Sequence, residues 1–247
     1  MTATLSFFSS STSLSTPSTL RLTMAYQVTH LNSGETFTRP KILINNLQQP
    51  REWTYTIDPA IETFHKTLPD YAETELHSLP DVAAELGFRN VFLKDESTRF
   101  GLPAFKILGA SWAIHQAICK RLNLPKSATL DDLTQALKGK DDVRLILCTE
   151  GNWGRACARM AKCLGIACKI VVPHYMPEYT QNLLRGEEAE VVVLENGSYD
   201  DCIAAVRKES SETGALLTMD TSWEGYEEFP QVCSRASCLR RSSRPSS

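Results

Sequence analysis

From residue 91 onward, short unbroken apolar runs alternate with helix-spaced stripes, and this alternation limits the fold more than any other feature. The runs are VFLK (91–94), VRLILCT (143–149), CKIVVP (168–173), EVVVLE (190–195) and ALLTM (215–219). Helical spacing covers 104–122, 129–137, 154–164, 177–184 and 199–208. The first of these carries Ile107, Ala110, Ile114, Ile118 and Leu122 on one stripe. Strands buried on both faces read as continuous apolar runs, and crossover helices supply the cover. The pattern therefore predicts an α/β fold with a parallel sheet flanked by helices.

The chain has 247 residues and a net charge of −3, which gives no reason to expect a nucleic-acid partner. No window is apolar for long enough to span a membrane. Eight cysteines occur without a Cys-X-X-Cys pair, and no histidine stands at zinc-ligand spacing from them. They read as reduced thiols of an intracellular protein with no metal site. Residues 1–25 form a Ser/Thr-rich leader, and residues 1–24 contain one arginine and no acid. A disordered leader, a start at Met24 and an organellar presequence remain open there; the expected compartment is the cytoplasm. Residues 233–247 hold Arg235, Arg240, Arg241 and Arg244 and show no apolar periodicity.

Two local motifs carry the chemistry. Lys106 starts a helix beside Phe105, after a loop containing Gly101 and Pro103. A lysine desolvated there would have a lowered pKa and a nucleophilic amine, whereas a solvated helix lysine would be inert. The second motif is Thr149-Glu150-Gly151-Asn152-Trp153-Gly154, between a strand and a helix. Gly151 and Gly154 let the backbone turn tightly and approach a ligand. Free N–H groups at the helix start favour an anion such as a carboxylate. Asn152 could hydrogen-bond a phenolic oxygen. The alternative is an ordinary strand-to-helix turn with Asn152 in a left-handed conformation. No dinucleotide or P-loop glycine motif occurs. An imine-forming lysine followed by an anion-binding turn is what pyridoxal phosphate chemistry on amino acids requires.

The segments LKDESTRFGLPAFKILGA, TEGNWGRACARMAKCLGIACKIVVPHYMP and DTSWEGYEEFPQ together resemble the diaminopropionate ammonia-lyase family. This family belongs to the pyridoxal-phosphate enzymes of fold type II, the tryptophan-synthase-β-like group. The likeness runs from about Phe37 to Gln231. It implies that Lys106 carries the cofactor aldehyde and takes the substrate's Cα proton. Phe105 lies beside the cofactor and Asn152 holds its ring hydroxyl. Thr149, Gly151, Asn152 and Gly154 bind a small amino-acid substrate. Residues 223–226 border the pocket or simply pack. The implied reaction is α,β-elimination from 2,3-diaminopropionate to pyruvate and ammonia, and the implied assembly is a homodimer.

The chain departs from the family pattern in three ways. Where the family has Asp-Gly-Asn-His-Gly, this chain has Glu150-Gly151-Asn152-Trp153-Gly154. The family's Asp is expected to act as a base for the D-isomer, and Glu150 keeps that carboxylate one methylene further out. Trp153 for His alters the pocket wall. Family members also continue into a glycine-rich phosphate loop and a partner for the pyridine nitrogen, but no glycines cluster here after Gly197. The chain thus reads as C-terminally truncated, with the second half of the large domain missing and an out-of-frame or read-through tail. The expected domains are residues 26–102 (first part of the large domain), 103–218 (small inserted domain), 219–232 (return) and 233–247 (tail). A serine/threonine dehydratase-like lyase and a non-catalytic fragment stay open as alternatives.

Overall fold

The computed structural model describes residues 25–29, 36–40 and 58–237. Residues 1–24 of the leader and residues 238–247 of the tail lie outside the described residues. The chain divides into two units, Met1–Thr54 and Tyr55–Ser247. In the first, β1 (Ala25–Thr29) pairs antiparallel with β2 (Thr36–Pro40).

The second unit opens with α1 (Pro59–His65), β3 (Leu76–Ser78), α2 (Pro80–Leu86) and β4 (Phe92–Lys94). After α2 the chain turns at Gly87, in the left-handed region at φ 70°. It then returns as β4, antiparallel to β3. The apolar run at 91–94 is therefore not part of the parallel sheet. Phe92 and Leu93 remain 47% and 53% exposed there.

The alternating region follows as α3 (Lys106–Leu122), α4 (Leu130–Leu137), β5 (Leu145–Cys148), α5 (Asn152–Leu164), β6 (Cys168–Pro173), α6 (Glu178–Gly186), β7 (Glu190–Leu194), α7 (Tyr199–Thr213), β8 (Leu216–Leu217) and α8 (Glu228–Ser237). Side chains fix several ends. Thr129 and Asp132 form a capping box on α4, and Ser198 and Asp201 form one on α7. Gly165 stops α5 in the left-handed conformation, at φ 68°. The four strands make one parallel sheet in the order β7-β6-β5-β8. From β5 the chain steps outward through β6 to β7. It then crosses back over α7 and lays β8 on the other side of β5.

Expected as an amphipathic helix, α3 is buried nearly all round over its first half, with Ile107, Leu108, Gly109, Ala110, Ser111, Trp112, Ala113, Ile114 and His115 all inside. It packs against α8, α5, α1 and α4, so it is the axis of the unit rather than a cover for the sheet. His65 ties α1 to it, with Nε2 3.0 Å from the Leu108 carbonyl.

The last helix runs further than expected. The stretch 233–237, read as patternless, continues α8. Phe229, Cys233 and Ala236 recur at helical spacing, and Cys233 and Ala236 are buried. Exposed Ser234 and Arg235 between the buried positions mask that stripe. The helices approach closely: a methyl group on Gly109 would lie 2.5 Å from Cys233 Sγ and 2.9 Å from the Cys233 carbonyl.

Two outcomes follow from this packing. Gly109→Ala should cost about 1–3 kcal/mol of stability, since α8 must shift to admit the methyl. An unchanged urea midpoint would show that α8 does not dock at this distance. Burial pushes the His65 imidazole down to about 4, below its unfolded value of 6.5. The neutral ring's contribution is thus full above pH 6.5 and is lost as pH falls toward 4, at most about 3 kcal/mol. Chemical denaturation of His65→Gln should show a shallower loss of stability across that window.

Candidate active site

Winding in opposite directions from β5 leaves a crevice at the carboxyl ends of β5 and β8, the place where open α/β sheets bind ligands. Two segments enter it from these strands: residues 149–154 after β5 and residues 218–220 after β8. The amino end of α3 brings in a third.

Lys106 is the first residue of α3, which no side chain caps. Its Nζ lies 2.6 Å from Asp220 Oδ2. It stands 5.7 Å from the centre of the Phe105 ring and 5.9 Å from that of Trp153. The lysine keeps 37% of its side chain exposed, so of the two readings left open it is not the fully desolvated one. A carboxylate and two aromatic faces hold it instead. Asp220 was missed in the sequence, where the only signal was its place directly after the last apolar run.

In the 149–154 turn, Thr149 is buried, and its Oγ1 accepts from the backbone N–H of Gly151 at 3.1 Å and of Gly154 at 3.0 Å. That hydroxyl shapes the turn and is not open to a ligand. Gly154 is needed for closeness rather than for a special conformation: a Cβ there would fall 2.2 Å from Thr149 Cγ2. At Gly151, by contrast, a Cβ would meet nothing within 4 Å. Asn152 is exposed and begins α5 with ordinary helical backbone, not in a left-handed turn. Among the described residues nothing hydrogen-bonds its side chain. With Gly154 held by Thr149, the amides of Asn152 and Trp153 remain, and helix geometry gives them no intrahelical acceptor. They make an anion-accepting end beside the lysine.

Trp153 is a wall. It is 5% exposed, and its Nε1 donates to the Thr218 carbonyl at 2.9 Å, fastening α5 to the end of β8. The Tyr226 hydroxyl donates to the Leu217 carbonyl at 2.7 Å and accepts from the Met219 N–H at 2.9 Å. Its ring stacks on Trp223 at 4.4 Å. Residues 223–226 therefore pack behind the segment that carries Asp220. Glu150 projects outward from the turn and accepts a hydrogen bond from the Tyr175 hydroxyl. The basic side of α5 is anchored too. Arg155 and Arg159 close on the buried Glu187 at 3.3 and 2.5 Å. Burial works to raise that carboxyl, but the two guanidiniums outweigh it and hold it below its usual value.

Residues 67–229 match the model of the family described as "Pyridoxal-phosphate dependent enzyme". The chain is 36% identical over 171 residues to the diaminopropionate ammonia-lyase of Salmonella typhimurium, covering 68% of this chain and 42% of that protein. It is 33% identical over 168 residues to the Escherichia coli enzyme of the same name, at the same coverage. The crystal structure of the Escherichia coli enzyme in complex with D-serine superposes with a TM-score of 0.68 at 30% identity, over 74% of this chain and 46% of that one. The chain thus spans under half the length of these relatives.

The contact between Thr149 and Gly154 can be tested without a ligand. Gly154→Ala should destabilise by about 1–3 kcal/mol through the forced overlap. Adding Thr149→Ser, which removes Cγ2 and keeps the hydroxyl, should recover most of that loss in a denaturant titration.

Proposed function

We propose, from the premise that this chain belongs to the family of pyridoxal-phosphate-dependent enzymes, that it serves α,β-elimination of ammonia from 2,3-diaminopropionate. The eliminated product then takes up water, giving pyruvate and a second ammonia. The observation that carries this reading is the meeting of Lys106 with Asp220, 2.6 Å apart, at the sheet's reversal point and beside the open amino end of α5. The likeness to relatives named for this reaction supports it, although the chain covers 42% of their length.

The residues present fit the aldehyde and ring of the cofactor. A primary amine stands between two aromatic faces, an exposed amide side chain lacks a partner among the described residues, and the space beside Gly151 is open. When bound, pyridoxal phosphate supplies a sink for the electron pair left on the substrate Cα. Lys106 is the residue that would join the aldehyde and, once freed, accept the Cα proton on Nζ. Asp220 positions that nitrogen and receives it back after each transfer. Asn152 would donate to the ring hydroxyl, and Phe105 would flank the ring. The amides of Asn152 and Trp153 would hold the substrate carboxylate, while Thr149, by accepting from the Gly151 and Gly154 N–H groups, shapes the turn that presents them. Glu150 would accept the Cα proton of the D-isomer from the opposite face. Residues 103–218 would form the small domain around this site. A homodimer in the cytoplasm is the setting we infer; among the described residues no helix is long and apolar enough to cross a membrane.

Borohydride reduction in the presence of pyridoxal phosphate should place a covalent label on Lys106, identified by peptide mass. Lys106→Ala should carry no label there and lose at least about a thousandfold in turnover, as expected when a nucleophile is removed. Ammonia and pyruvate from diaminopropionate but not from threonine would select this reaction over a dehydratase. A label elsewhere, or none, would overturn the assignment.

A further inference from the structure

Glu150 and Tyr175 are 25 residues apart and meet because their loops leave the carboxyl ends of adjacent parallel strands, β5 and β6. The Tyr175 hydroxyl donates to Glu150 Oε1. Tyr175 is 54% exposed, so its ring is not there to fill the core. It is braced from the side. His174 packs edge-on against it at 5.4 Å, and His174 Nδ1 lies 3.2 Å from the Gly197 carbonyl in the loop after β7. The carboxylate it touches departs from the family pattern by one methylene. That methylene adds a rotatable bond and about an ångström of reach, enough to cost on the order of a hundredfold in rate if left unconstrained. A donor fixed on one oxygen removes that freedom and leaves the other, Oε2, without a hydrogen-bond partner among the described residues.

We propose that Tyr175 is a positioning residue that orients Glu150, and that it thereby sets the balance between turnover of D- and L-2,3-diaminopropionate. The inference rests on the lyase reading of the site. Among the described residues Tyr175 hydrogen-bonds neither Lys106 nor the 149–154 backbone, so its effect should be confined to the proton transfer assigned to Glu150. The charged and titratable groups facing its hydroxyl are Glu150, His174, Cys202 and Asp200. The hydrogen bond to Glu150 is the main cause that pushes the Tyr175 phenol up to about 12, with loss of water and the negative charge of Glu150 adding to it.

Two readouts test this, one independent of catalysis. In an ultraviolet difference titration against Tyr175→Phe, the Tyr175 phenol should stay protonated at about pH 11 and be largely ionised there in Glu150→Gln, since a free tyrosine titrates near 10. A phenol that titrates alike in both would overturn the proposal outright. In steady-state kinetics, Tyr175→Phe should lower kcat for the D-isomer about tenfold, the usual effect of losing one hydrogen bond to a charged group, with little change in KM. Turnover of the L-isomer should stay within about twofold, and Glu150→Asp added to Tyr175→Phe should cost less than the two single changes combined. Equal losses for both isomers would make Tyr175 a structural residue and overturn its role in isomer balance. Turnover of neither isomer by the cofactor-loaded chain would instead remove the lyase reading and the isomer balance with it, while the titration still decides whether Tyr175 holds Glu150.

Discussion

A helix with almost no free side governs this structure. Over its first half α3 is enclosed by α1, α4, α5 and α8, and it carries no charge there after Lys106. Such a helix can satisfy a lysine only at its end, where the backbone opens to the crevice. The amine is thus delivered to the mouth of the sheet by packing rather than by a dedicated loop. The close approach at Gly109 and the enclosure of Ile107, Ala110 and Ile114 fix where the helix can start, and so fix where Nζ can reach. Core and chemistry are here one constraint seen at two ends of a rod.

The two local motifs were legible because each is announced by neighbours in sequence. Lys106 follows a Gly/Pro-containing loop and opens an apolar stripe, and Gly151 and Gly154 punctuate a strand-to-helix junction. The parallel core was legible for the same reason, since apolar runs of about four residues separated by helices admit few other arrangements. Asp220 and Tyr175 were not legible. Their partners lie 114 and 25 residues away, and only the strand order brings them together. The reading also failed where a one-face pattern stood for a many-sided environment. The stripe on α3 names one buried face, but four helices bury the rest. In α8 a three-residue apolar stripe was hidden among serines and arginines.

The reason for a glycine can likewise be mistaken when only its presence is known. Gly154 was expected to grant backbone freedom toward a ligand. Its contribution is to let Thr149 stand against α5, where one hydroxyl accepts from two amides of the turn. Gly151 is the position that keeps open space beside it. The turn thus divides its labour between a packed half and an accessible half. Trp153 belongs to the packed half, through its indole bond to Thr218.

The strand that leads to Asp220 is the shortest in the sheet. β8 contributes only Leu216 and Leu217, and its continuation is held by one more backbone bond, from the Thr218 N–H to the Ile146 carbonyl at 3.0 Å, and by the indole of Trp153 and the phenol of Tyr226. A strand this short can fray while the other three stay paired. Loss of order at this margin would separate the amine from its counter-ion without requiring the rest of the fold to open.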